Sequence, residues 1–213
     1  MPTLFYISDY KTSNTEQPIT ILGIAGSLRS NSNSTRALKI ALQNASLKYS
    51  AMTRLVDLKE KALPIFNPSD RSEDNLIVKD VTKEVVKADA FILASPDYHG
   101  SMSGAIKNWL DFYWKEFAGK TFGYIVASHE KGLTVMDQMR TAVRQCYGWS
   151  LPYGISINGD HDFDRAGNVT NEPLLSRIEM LARDLVVYSR LLRKQFLEDV
   201  NNDEQFTFAK YYS

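Results

Sequence analysis

The sequence predicts an α/β protein: a doubly wound, five-stranded parallel sheet covered by helices on both faces. Three observations lead there. Short apolar runs alternate along the chain with longer segments whose apolar residues recur every three or four positions. The runs are continuously apolar, as in strands buried on both faces. The periodic segments between them are long enough to be the crossovers that parallel strands require.

The first run, Thr20 to Ile24, ends in Gly26-Ser27 and reads as a buried strand feeding a turn. Leu38, Leu42 and Ala45 then share a helical face with Ala41 beside them, and Met52 to Leu58 is the second strand. A proline-containing loop, Leu63 to Asp70, precedes a helix marked by Leu76, Val81, Val85 and Val86. Ala90 to Ala94 is the third strand, stopped by Ser95-Pro96. Met102, Ile106, Trp109, Leu110, Tyr113 and Phe117 follow at helical spacing. Phe122 to Ala127 is the fourth strand, Val135 to Tyr147 a helix, and Leu151 to Ile157 the fifth strand. Gly159 to Asn168, rich in Asp and Gly, is a loop. The last helix carries Leu174, Ile178, Leu181, Leu185, Tyr188 and Leu192. Residues 19–197 thus form the domain, with an N-terminal appendage over 1–18 and a C-terminal tail over 198–213 that ends in Phe206, Phe208, Tyr211 and Tyr212.

Composition narrows the function classes. The chain of 213 residues has 25 basic and 25 acidic side chains, so charge makes no case for nucleic acid. The lone Cys146 excludes an internal disulfide and a cysteine metal cluster; its apolar-patterned surroundings suit a buried structural thiol. No apolar run approaches the roughly 20 residues that span a bilayer. Leu4 to Ile7 is too short for a signal peptide, so no membrane partner and a cytoplasmic location are expected.

In such a sheet, ligands bind outside the carboxyl ends of the strands, where strand order reverses. The loops leaving strands one, three and four therefore carry the chemistry. The first, Gly26 to Thr35, combines serines, Thr35, Arg29 and a glycine turn, and it opens a helix. Helix N–H groups, hydroxyls and a guanidinium suit a terminal phosphate, against the plainer alternative of a polar loop with a serine cap. It is neither a Walker loop nor a dinucleotide fingerprint. In the second loop, Ser95 to Gly104, Pro96 forces an extended exit, Gly100 and Gly104 allow close backbone approach, and Tyr98 can lie along a ring. Exposed N–H groups there would meet ring carbonyls, unless Tyr98 merely caps the core and His99 is a solvated loop residue. The third, Ser128-His129-Glu130-Lys131-Gly132, is marked mainly by its position.

With these residues the chain resembles the NADPH-dependent FMN reductases of flavodoxin-like fold, which include reductases of quinones, chromate, azo dyes and arsenicals. The resemblance rests on Gly26-Ser27-Leu28-Arg29 through Ser34 and on Ser95-Pro96-Asp97-Tyr98-His99-Gly100-Ser101 through Asp111. Strand and helix order agree from about Thr20 to Phe196, and Phe163 to Thr170 matches the stretch before the last helix. It implies FMN as cofactor, NADPH or NADH as co-substrate and a small-molecule electron acceptor. Ser27, Arg29, Ser32 and Ser34 would hold the FMN phosphate, with Asn33 helping through its backbone. Pro96, Asp97, Tyr98, His99 and Gly100 would border the isoalloxazine, and Ser128 is carried over from the third loop. That loop departs from the family's glycine-rich pattern. The resemblance also implies ping-pong hydride transfer through flavin N5 with no catalytic side chain, and a homodimer or homotetramer. Trp109 is expected in the core and Trp114, off its stripe, at an interface.

Two rivals remain at this level. A flavodoxin-type one-electron carrier is usually strongly acidic, unlike this neutral chain. A non-enzymatic flavin-binding sensor would use the aromatic tail to bind a partner. A serine hydrolase is disfavoured because Gly-x-Ser-x-Gly is absent.

Overall fold

Parallel strands arranged in the order β2-β1-β3-β4-β5 form the sheet in the computed structural model, which describes residues 17–70 and 75–212. Most of the N-terminal appendage lies outside the described residues. The strands are β1 (Thr20–Ala25), β2 (Met52–Asp57), β3 (Ala90–Pro96), β4 (Thr121–Ala127), β5 (Trp149–Ser150) and β6 (Ile155–Ile157). The helices are α1 (Asn33–Tyr49), α2 (Leu76–Lys87), α3 (Gly104–Asp111), α4 (Leu133–Gln145), α5 (Gly159–Asp162), α6 (Glu172–Asn201) and α7 (Phe208–Tyr212).

Alternate residues of each central strand point to opposite faces and feed two separate cores. Ile21, Ala25, Ile92 and Ile125 pack with α1 and α6, whereas Leu22, Ile24, Phe91, Leu93 and Tyr124 pack with α2, α3 and α4. The second core is aromatic: Phe91 stacks on Phe122 at 4.7 Å and meets the Phe117 edge at 5.3 Å. Trp109 is fully buried among them, as its place on the apolar stripe requires, while Trp114 is 55% exposed.

The structure corrects the sequence reading in six places. The fifth strand is split: β5 and β6 both pair with β4, and Leu151 to Gly154 interrupt them. The stripe from Met102 to Phe117 is not one helix, because α3 ends at Asp111 and a 3-10 turn, Lys115–Phe117, presents Phe117 to the same core. Pro96 does not stop β3; it occupies the last strand position, where the missing N–H breaks no further ladder. The Gly159 to Asn168 loop begins with the short α5. Finally, α6 runs to Asn201, and the tail folds back as α7, with Ala209 buried and Tyr212 against Tyr147 at 4.0 Å. Cys146 is half-buried rather than buried, and desolvation raises its pKa.

The N-terminal end of the sheet is closed by ions. Asp89 accepts the Thr20 N–H at 2.8 Å and an Arg193 bond at 3.0 Å, and Lys120 donates to the Val85 and Val86 carbonyls, both at 3.0 Å. Desolvation raises the Asp89 pKa and lowers that of Lys120 to about 8. The C-terminal end is the one that faces outward with loops.

Candidate active site

The order of strands reverses between β1 and β3, so the loops that follow these two strands stand side by side at the switch point. Two contacts weld them. A Cβ on Gly26 would lie 2.1 Å from Ile106 Cγ1, so only glycine lets β1 exit this close to α3. The Ser103 hydroxyl donates to the Gly26 carbonyl at 2.7 Å and accepts the Ile106 N–H at 3.2 Å, while the Ser103 N–H reaches buried Ser95 Oγ at 3.0 Å.

The first loop leaves its donors open. Ser32 stands at the N-cap of α1, yet its side chain caps nothing and pairs with the Ser34 hydroxyl at 2.9 Å. By contrast Asn75, Ser103 and Asn171 cap α2, α3 and α6 with their side chains. Among the described residues, no acceptor meets the N–H groups of Ser27, Leu28, or Ser30 through Thr35. Ser27, Ser34 and Thr35 are nevertheless buried. An unsatisfied buried N–H costs about 1–3 kcal/mol, so such a set fits a ligand oxyanion that completes it. Asn31, at φ 58°, turns the loop through the left-handed region. Arg29 is exposed and its N–H bonds to Ser27 Oγ at 3.3 Å. Asn33 Oδ1 accepts from Arg36 at 3.1 Å, which leaves Asn33 its backbone for any ligand. Ser34 is fully buried behind Ser32.

The second loop is built the opposite way. Tyr98 and Ser101 exchange N–H···O bonds at 3.0 and 3.1 Å across a tight turn. His99 at φ 57° and Gly100 at φ 75° fill its centre, the pattern of a type I′ turn. The Asp97 N–H donates to Ala127 O at 2.8 Å, the Gly100 N–H to Asp97 Oδ1 at 2.8 Å, and the Met102 N–H to Gln138 Oε1 at 3.2 Å. From Asp97 to Ser103, the His99 N–H alone has no acceptor among the described residues. The expectation of several open N–H groups here is therefore narrowed to one, at the turn's tip. Tyr98 is 39% exposed beside it and does not cap the core.

Asp97 also joins the third loop: its Oδ2 accepts from Ser128 Oγ at 2.8 Å. That hydroxyl in turn accepts the Glu130 N–H at 3.0 Å, so Ser128 acts as a tie between loops. All eleven nominated residues thus fall at one end of the sheet, eight on three adjacent loops and three, Asn33, Ser34 and Pro96, on the helix and strand ends that border them.

Sequence reasoning missed three participants. Lys59 donates to Ser30 Oγ at 2.6 Å, bringing a second cation to the first loop. Its signal was only that β2 neighbours β1, which no local pattern reveals. Ser103 lies inside the second loop but was not singled out. Gln138 sits on α4 and bonds the second loop from outside, with no motif of its own.

Comparison with known proteins then decides the family. The family model for NADPH-dependent FMN reductase matches residues 19–162. The chain belongs to that family. The reductase is 32% identical, over 84% of its length and 94% of the relative's, to an FMN-dependent NADPH-azoreductase of Staphylococcus aureus. It is also 32% identical to an NADPH azoreductase of Bacillus sp. (strain OY1-2), over 57% of its own length and 70% of that protein's. Among solved structures, it is similar in fold to FerB, a flavoenzyme NAD(P)H:(acceptor) oxidoreductase from Paracoccus denitrificans. The TM-score is 0.68 at 18% identity, covering 81% of this chain and 98% of FerB. The reductase is therefore an oxidoreductase that works with FMN and a reduced nicotinamide. The carrier and sensor rivals fall with this result. No helix among the described residues is long and apolar enough to cross a membrane.

Proposed function

We propose that this reductase seats the FMN phosphate in the first loop and the isoalloxazine along the second, and passes electrons from NADPH to azo compounds or quinones. The observation that carries this reading is the contrast in donors: a row of acceptor-less N–H groups at the start of α1, three of them on the buried residues Ser27, Ser34 and Thr35, beside a pre-formed turn with one open N–H. A dianionic phosphate satisfies the first, with Arg29, Lys59, Ser27 and Ser32 supplying charge and hydroxyls and Ser34 orienting Ser32. FMN, when bound, supplies a two-electron centre that takes hydride from a nicotinamide and returns it to an acceptor. The protein holds it: Gly100 and Pro96 let backbone approach a flat ring, Tyr98 lines it, and the His99 N–H offers a hydrogen bond to its polar edge. Asp97 and Ser128 keep that edge in register with the third loop.

Nicotinamide and acceptor are proposed to use the same open face in turn, which makes the kinetics ping-pong. Two or four copies would assemble through exposed surfaces such as that around Trp114, in the cytoplasm where NADPH is regenerated. The test is an absorption spectrum of the purified chain after FMN addition and removal of excess, repeated after anaerobic NADPH. Retained flavin bands that bleach, then return on adding an azo dye or quinone, support the reading. Retained bands that NADPH leaves unchanged would overturn it.

A further inference from the structure

We infer that Gln138, on α4, is the positioning residue that sets the turn bordering the flavin and thereby tunes the flavin's affinity and potential. The inference rests on the flavin reading above. One side-chain amide makes three bonds to three successive residues of the second loop. Its Oε1 accepts from Ser101 Oγ at 2.9 Å and from the Met102 N–H at 3.2 Å, and its Nε2 donates to the Gly100 carbonyl at 3.3 Å. The Gly100 carbonyl is thereby directed to α4, and the His99 N–H is left as the open donor of the turn.

The placement is independent of the core. Val135, Met136, Met139 and Val143 form the buried face of α4, and Gln138 is half-buried at its edge. A side-chain amide is uncharged and carries an acceptor oxygen and a donor nitrogen side by side, which lets it accept two bonds and donate a third to the same turn. Asp97 holds the other side of the same turn, through Gly100 N–H and Ser128 Oγ. Because α4 begins directly after the third loop, the two clamps fix the second loop against the third. Among the described residues, the hydrogen bonds of both run to the second and third loops and none to the first, where the phosphate would sit.

The experiment compares the full-length chain loaded with FMN in three forms: wild type, Gln138→Met and Gln138→Glu. Gln138→Met keeps the length and removes all three bonds; Gln138→Glu keeps the two accepted ones. Expected for Gln138→Met are an FMN Kd about tenfold higher, a shifted flavin midpoint potential and a kcat/KM for NADPH lowered about tenfold. The Kd of Gln138→Glu is expected to stay within about threefold of wild type, with the potential moved downward by the added negative charge. A merely structural role would lower thermal stability while leaving the potential of bound flavin unchanged. If Gln138→Met fails to fold, Gln138→Glu decides through its Kd, which should stay within about threefold of wild type because the two accepted bonds persist. Wild-type Kd, potential and kcat/KM in Gln138→Met, or an FMN Kd raised about tenfold or more in Gln138→Glu, would overturn the inference while the flavin reading stands. Absence of FMN binding by the wild type would instead overturn that reading.

Discussion

The loops after β1 and β3 lie side by side yet treat their backbone donors in opposite ways. The first leaves nearly every N–H from Ser27 to Thr35 without a protein acceptor; the second pairs all but that of His99 between Asp97 and Ser103. The difference matches the two ends of the proposed ligand. A phosphate dianion accepts many bonds from many directions, so a site for it gains by keeping donors open. A flat ring offers few polar atoms and a large apolar face, so its site gains by rigidity and one well-aimed donor.

Perturbing the contact that joins the loops should have the largest effect. Gly26→Ala drives a Cβ to 2.1 Å from Ile106 Cγ1, and the backbone must shift away from α3. Overpacking of this kind costs roughly 1–3 kcal/mol, and both ends of the ligand site move with it. Denaturant unfolding and FMN titration should therefore fail together. Next comes the first loop alone: Arg29→Ala with Ser32→Ala should raise the FMN Kd about 100-fold, since two ligand bonds, one charge-assisted, are lost. Apo stability should fall by about 1–3 kcal/mol, because Ser32→Ala leaves the buried Ser34 hydroxyl without its partner, while Arg29 is exposed and adds nothing to that cost.

The second loop should answer differently. Asp97→Ala removes the acceptor of the Gly100 N–H and of Ser128 Oγ, and should cost about 1–3 kcal/mol in unfolding free energy. It should weaken FMN and riboflavin by the same factor, because the ring end alone is disturbed. Gly100→Ala meets no atom within 4 Å but keeps φ at 75°, so about 1–2 kcal/mol of backbone strain is all it adds. His99→Asn is expected to be nearly silent in thermal unfolding, within about 0.5 kcal/mol, since Asn also tolerates the left-handed region.

The sequence made the architecture legible where burial is two-sided. β1, β3 and β4 read as uninterrupted apolar runs because helices cover both their faces, and their ends came out within two residues. The fifth strand misread because its pieces lie at the sheet's edge: Trp149 and Ser150 are exposed and carry no apolar run. The Met102–Phe117 stripe misled for another reason. Core burial rewards apolar residues at that spacing whether a continuous helix or a helix and a 3-10 turn delivers them. The site divides along the same line. Ser27, Arg29, Ser32 and Asp97 sit in contiguous loops whose composition is unusual, so they were visible. Lys59 and Gln138 reach those loops from other elements, and only the three-dimensional pairing brings them there.

The most direct test of the account titrates the apo protein with FMN and with riboflavin, which differ by the phosphate alone. If the open donors of the first loop hold that phosphate, FMN should bind about 100-fold more tightly, and Arg29→Ala with Ser32→Ala should erase most of the difference. Equal affinities for the two flavins in the wild type would contradict the account.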